Sequence, residues 1–177
     1  MEDEMLILVD EKDRQIGTDT KINCHKGNAR RHRAFTTIYL NDKNEMLLAR
    51  RASRKITWPN FWDLALSSHH HPGETHEAAN ERKSIQELGT TAPVKRLFSF
   101  EYHVPYNLDW SEWEHNHILI GKLNGKVTTN LAEVSEVKWI GFNKLKEEIA
   151  RNPNQFAPWT IIAIREFFNR GHDKSTF

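Results

Sequence analysis

Five side chains from separated stretches, His25, His32, His69, Glu112 and Glu114, offer three imidazoles and two carboxylates. A divalent ion takes such a mixed nitrogen and oxygen set readily, and Mn²⁺, Mg²⁺, Zn²⁺ and Fe²⁺ all suit it. No HExxH pattern is present, and a chain with 10 histidines places some near carboxylates by chance, so spacing alone leaves the site open. Lys21, Arg51, Lys55 and Lys83 carry the groups that grip diphosphate oxygens, although the same cations also suit a solvated basic surface. Trp58, Trp62 and Trp159 read first as core, yet an indole face beside a metal and an anion also stabilises a cation. The run His69-His70-His71 reads as a polar turn in which at most one ring has a specific task.

Strands and helices that could position these groups follow from local pattern. Met5–Val9, a polar turn and Gln15-Ile16-Gly17-Thr18 predict a hairpin, while Lys21–Arg33 has no apolar period and reads as a loop. Ala34–Leu40 and Met46–Arg50 predict two antiparallel strands joined by a turn, delivering Arg50, Arg51, Arg54 and Lys55 to one end of a sheet. Thr75–Leu88 predicts a helix between Pro72-Gly73 and a terminal Gly89. Lys95–Tyr102, Trp113–Lys122 and Val134–Ile140 read as strands, Lys144–Ile149 as a short helix, and Trp159–Phe168 as an amphipathic helix led in by Pro158. Alternation along the strand at Trp113 puts Glu112, Glu114 and Asn116 on one side, with Trp113, His115 and His117 on the other. Such an order suggests an α+β layered sandwich in a single domain spanning 1–177.

A chain of 177 residues with 38% hydrophobic content can close one core without disulfides or a structural metal. Its formal net charge of +1 gives no general reason to expect nucleic acid or an anionic membrane as partner. The single cysteine, Cys24, cannot form an internal bridge. An acidic start, MEDEMLILVD, lacks the basic region of a signal peptide, and no apolar run approaches the roughly 20 residues that span a bilayer. The expected compartment is the cytoplasm.

Several motifs then line up in order: Lys21, His25, RRHRAF with His32, RRASRK followed by Trp58-Pro59, Ser68-His69, RKSIQELG, EWE at Glu112–Glu114, and FAPW at Phe156–Trp159. With these, the chain resembles the type I isopentenyl-diphosphate isomerases of the Nudix superfamily from about Met5 to Phe168. The resemblance implies a Nudix-type α/β/α sandwich with a mixed sheet. It also implies interconversion of isopentenyl and dimethylallyl diphosphate through a tertiary carbocation. His25, His32, His69, Glu112 and Glu114 would hold a metal, Mg²⁺ or Mn²⁺ before Zn²⁺, and Glu87 would help hold a second Mg²⁺ bridging to the diphosphate. Glu114 would also move a proton with help from Tyr102. Lys21, Arg51, Lys55 and Lys83 would grip the diphosphate, and Trp159 would face the carbocation. The expected partner is a small prenyl diphosphate, and the expected state is a monomer or weak homodimer.

One departure stands out. The family's other proton-transfer residue is a cysteine, and this chain has Ser67 there. A hydroxyl is far less acidic than a thiol, and losing a well-placed acid/base group costs on the order of 10²–10⁴ in rate. Asp63-Leu64-Ala65 replaces the usual T-N-T or T-N-S, His70 and His71 replace Pro and a small or apolar residue, and Trp113 sits between the two glutamates. Alternative readings are a carbocation rearrangement or cyclisation of a longer prenyl diphosphate, and a diphosphate-binding protein without turnover. A Nudix hydrolase fits less well, because Lys83 and Gln86 occupy acidic positions of the R-E-x-x-E-E arrangement.

Overall fold

Strand β3 (His32–Leu40) runs through the middle of the protein with eight of its nine residues buried. Its β-branched and aromatic content suits a strand covered on both faces. The computed structural model describes residues 4–173; the start of the acidic N-terminal segment and the last four residues lie outside the described residues. On one flank β3 meets β1 (Met5–Val9), which forms the expected hairpin with β2 (Gln15–Thr20). Elsewhere β3 pairs antiparallel with β6 (Leu66–His69) and parallel with β8 (Ser111–Lys122). β8 carries β7 (Val94–Pro105) on its other side. β4 (Met46–Arg51) pairs with β5 (Trp62–Leu64) and β9 (Val134–Ile140), so the sheet is mixed, as expected.

Alternation along β3 divides the core between two faces. Phe35 and Tyr39 face helix α2 (His76–Leu88), with Leu47, Leu66, Ala79 and Leu88. Ile38 and Leu40 face helices α3 (Phe142–Arg151) and α4 (Pro158–Asn169), with Leu64, Ile118, Leu145, Ile164 and Phe167. These layers give the predicted α/β/α arrangement. Thr75 caps α2 by accepting from the Ala78 N–H, and Gly89 ends it in the left-handed region at φ 67°. A Cβ on Gly89 would lie 2.9 Å from the Thr128 carbonyl oxygen. Gly89→Ala is therefore expected to cost at least about 1–2 kcal/mol, seen as a lower urea midpoint at unchanged slope.

Three local expectations need correction. Lys21–His25 is a one-turn helix, α1, rather than loop; Thr20 caps it and Cys24 and His25 are buried. One turn is too short to show a helical period, and packing of Cys24 beside Leu6 and Leu8 holds it in place. β3 and β4 are neighbours only at Leu40–Met46, then diverge because each is buried enough to accept other strands on its flanks. β5 and β6 went unread, being three and four residues long and, in β6, rich in serine and histidine.

Candidate metal centre and active-site cavity

Register across the sheet brings the five expected ligands together. In the parallel pair His32 lies opposite Glu114, and in the antiparallel pair Ala34 lies opposite His69. Glu112 shares the Glu114 face of β8, and the buried end of α1 supplies His25. One potential ligand atom from each of the five lies within 4.8 Å of the others, and all five residues are buried.

The chemistry of this group fits a cation. His25 Nδ1–H donates to the Lys21 carbonyl and His32 Nδ1–H to the Arg30 carbonyl, both at 2.7 Å, which turns each Nε2 inward. His25 Nε2 sits 2.9 Å from Glu112 Oε2. A lone pair and a carboxylate at that distance need a proton or a metal between them. His32 Nε2 is buried with no hydrogen-bond partner among the described residues. Burial works to lower the His25 pKa, but the Glu112 carboxylate outweighs it and raises the value. His69 is pushed well down by burial and by the nearby Lys21 charge.

Both carboxylates have further anchors. Thr57 Oγ1 donates to Glu112 Oε1 at 3.0 Å. Glu114 Oε1 is 3.1 Å from His69 Nε2, while its Oε2 accepts from Tyr102 at 2.6 Å and from Asn116 Nδ2 at 3.1 Å. Tyr102 is directly opposite Glu114 across β7 and β8, so the short bond follows from register. Burial and the Glu114 charge push the Tyr102 pKa well above the ordinary phenol value, leaving a neutral O–H. Against the upward pull of burial, His32 and Tyr102 hold Glu114 below the usual carboxylate range. Thr57→Ala is expected to weaken metal binding about 10–100-fold without unfolding the protein, measured by competition with a chelating dye.

A cavity of about 410 Å³ opens onto this group. Lys21, Arg51 and Lys55 line it, and so do Ser67, Tyr102 and Trp159. Lys83 does not line it; its Nζ pairs with Glu87 at 2.8 Å within α2. Glu87 stands apart from the five ligands, on a small cleft shared with Lys55, Glu133 and Ser67. Arg54, absent from the predicted cations of the site, lines the cavity beside Lys55. Arg51 also serves the local fold: its guanidinium donates to the Thr57 and Trp58 carbonyls at 2.9 and 3.1 Å. That clamp holds Trp58 at φ 43°, a conformation costly for a residue with a Cβ.

Residues 30–160 match the NUDIX domain. Over 159 residues the chain is 36% identical to isopentenyl-diphosphate Delta-isomerase 2 of Photorhabdus laumondii, covering 89% of this chain and 88% of that protein. The isopentenyl-diphosphate Delta-isomerase of Serratia proteamaculans is 32% identical over 164 residues, covering 93% and 91%. The chain belongs to the isopentenyl-diphosphate isomerase family. Among solved structures, DR0079 from Deinococcus radiodurans shares the fold with a TM-score of 0.67 at 21% identity, covering 84% of this chain and 90% of that one. Membership of the NUDIX isomerase family implies use of a divalent metal, and the five-residue group is a fitting place to hold it.

Ser67 sits among polar side chains. Its Oγ donates to Asp63 Oδ1 at 2.9 Å and lies 3.1 Å from Thr36 Oγ1. Trp159 Nε1 donates to both Asp63 oxygens at 3.0 Å, and Thr160 Oγ1 donates to Oδ1 at 2.6 Å. Burial raises the Asp63 pKa despite the opposing Arg51 charge and these donors. Trp159 is buried, as its core reading required, yet it also forms cavity wall, with the Arg51 guanidinium 5.1 Å from its ring centroid. Cys24 offers no replacement thiolate: burial and the Asp19 charge push its pKa up to about 12.

The opposite face of β8 holds a second histidine cluster. His117 Nε2 is 2.9 Å from Asp13 Oδ2, but Arg33 donates to Asp13 and Arg96 donates to His117 Nδ1, so guanidinium groups already supply the positive charge. His70, on the same side, lies 2.7 Å from His76 Nδ1, and burial lowers its pKa to about 3. His71 bonds to Glu4. Each ring of the His69–His71 run thus has a specific partner, which corrects the expectation of at most one. Asn116 and Thr57 also escaped sequence reading as anchors. Alternation places Asn116 beside the glutamates, but only the structure shows its amide bonded to Glu114 Oε2 within the strand and to Thr36 Oγ1 across strands.

Proposed function

We propose that the protein interconverts isopentenyl and dimethylallyl diphosphate, protonating the double bond to a tertiary carbocation and removing a proton from another carbon. One observation carries this reading: Glu114 turns one oxygen to the imidazoles and the other to the Tyr102 hydroxyl, in a cavity that Lys21, Arg51 and Lys55 also line. The relatives named as isopentenyl-diphosphate isomerases, matched over about nine-tenths of the chain, support the same substrate.

In this reading Lys21, Arg51 and Lys55 bind the diphosphate, joined by Arg54. Glu114 moves a proton at Oε2 with the Tyr102 O–H hydrogen-bonded to that oxygen, and Ser67 touches the substrate carbon on another wall. The Trp159 ring faces the developing carbocation, as cation–π attraction requires. His25, His32, His69, Glu112 and Glu114 hold a metal, Mn²⁺ or Mg²⁺ before Zn²⁺, which when bound supplies positive charge beside the two carboxylates. Glu87, kept close to Lys83, helps hold a second Mg²⁺ toward the diphosphate. The protein is a single-domain cytoplasmic monomer or weak homodimer.

Incubation with isopentenyl diphosphate and Mg²⁺ or Mn²⁺, followed by NMR, tests this function. Dimethylallyl diphosphate is the expected product. No turnover by protein shown to contain metal would defeat the proposal.

A further inference from the structure

Ser67 presents a chemical difficulty that its neighbours resolve. A lone hydroxyl that took a carbon-bound proton would be left as an oxonium ion, and one that gave its proton to an alkene would be left as an alkoxide, so it needs a neighbour that takes and returns a proton. Directly behind it, however, stands a buried carboxylate, Asp63, absent from the cavity lining but within 2.9 Å of the hydroxyl. Ser67 lines the cavity and Asp63 does not, so the hydroxyl stands between the carboxylate and any substrate.

We propose that Ser67 and Asp63 form a proton relay in place of the missing thiol, Ser67 being the catalytic residue and Asp63 a positioning residue that acts through it. This rests on the isomerase reading above. As the carbocation loses its proton, the C–H bond breaks and its electron pair becomes the new C=C bond. That proton bonds to Ser67 Oγ while the original Ser67 hydroxyl proton passes to Asp63, leaving a neutral hydroxyl and a carboxylic acid. In the opposite direction Asp63 returns its proton to Ser67 as Ser67 protonates the alkene. The hydroxyl never carries a full negative charge, so its weak acidity ceases to matter.

Hydrogen-bond direction supports this path. The Asp63 carboxylate accepts the Ser67 hydrogen, so the Thr36 hydroxyl, itself accepting from Asn116 Nδ2 at 3.1 Å, is left to donate to Ser67, to which Trp159 Nε1 also donates at 3.2 Å. The same Asn116 amide donates to Glu114 Oε2. An amide does not pass protons as a hydroxyl does, so the Asp63 store stays separate from the Glu114 store, which a reaction that adds one proton and removes another requires. The side-chain donors to Asp63, Ser67, Trp159 and Thr160, include none of the five candidate metal ligands. Burial raises its pKa and makes a proton easier to accept, while these donors stabilise the ionised form that awaits it.

A competing explanation is that Asp63 merely holds Trp159 and Thr160 in place. A double-mutant cycle on the metal-loaded enzyme, reading kcat and KM for isopentenyl diphosphate, separates the two. Asp63→Asn is expected to lower kcat about 10²-fold or more with little change in KM. In a Ser67→Cys background the same change should cost less than about 10-fold, because a thiol can hold the proton itself. Equal losses in both backgrounds would make Asp63 structural and overturn the relay. Ser67→Ala, which leaves Trp159 and Thr160 anchored, guards against a folding defect: it should lose as much kcat as Asp63→Asn, and full activity would overturn the relay. An active wild type with an unimpaired Asp63→Asn would sink the relay alone, whereas a metal-loaded wild type that is inert would sink the isomerase reading and the relay with it.

Discussion

Glu114→Gln is expected to lower kcat on isopentenyl diphosphate about 10²–10⁴-fold, the usual consequence of removing a positioned acid/base group. Glutamine has nearly the same shape and can still accept from Tyr102, whose hydroxyl lies 2.6 Å from the native carboxylate. What disappears is the negative charge and the ability to exchange a proton at Oε2. Tyr102 cannot take over, because its pKa is raised by burial and by Glu114 itself. Since Glu114 also faces the imidazoles, metal content must be measured in the same preparation. A variant that retains metal and yet loses turnover identifies proton transfer as the missing step; unchanged kcat would refute the assignment.

Phe167→Ala is expected to destabilise the fold by about 3–5 kcal/mol, a large part of the 5–15 kcal/mol typical of a native domain. Phe167 is fully buried on α4, packed in the cluster with Ile38, Leu40, Met46 and Ile164 and edge-on to Phe142. Its removal leaves a cavity between α4 and the sheet that flanking aromatic rings cannot fill without moving. Urea unfolding followed by circular dichroism measures the loss. Trp159 and Thr160 begin the same helix, so reduced activity should accompany reduced stability even though Phe167 lies in the core.

Legibility in the sequence followed the strength of local signals. The α2 helix could be read because a turn precedes it, Thr75 caps it and Gly89 ends it; β8 could be read because Glu112 and Glu114 alternate with Trp113 and His115. The five ligands were recognisable as types, and the family resemblance singled them out, but their convergence depends on strand register between distant segments. α1, β5 and β6 escaped because one helical turn or three to four strand residues carry no usable period. Lys83 looked like a diphosphate ligand by its position on α2, yet Glu87 one turn later draws its ammonium away. Asp63 was visible as an odd residue without a task, since its contacts with Thr160 and Trp159 join segments remote in the chain.

The parallel pairing of β3 with β8 joins segments separated by nearly half the chain, with His32 opposite Glu114. Such non-local pairings are slow to form, because loop closure must precede the contacts that reward it. A nascent polypeptide emerging from a ribosome can expose His25, His32 and His69 early, but the cage stays open until β8 has been synthesised and docked. An ion that binds the closed cage more tightly than the separate histidines would act as a late clasp, favouring completion of this non-local seam.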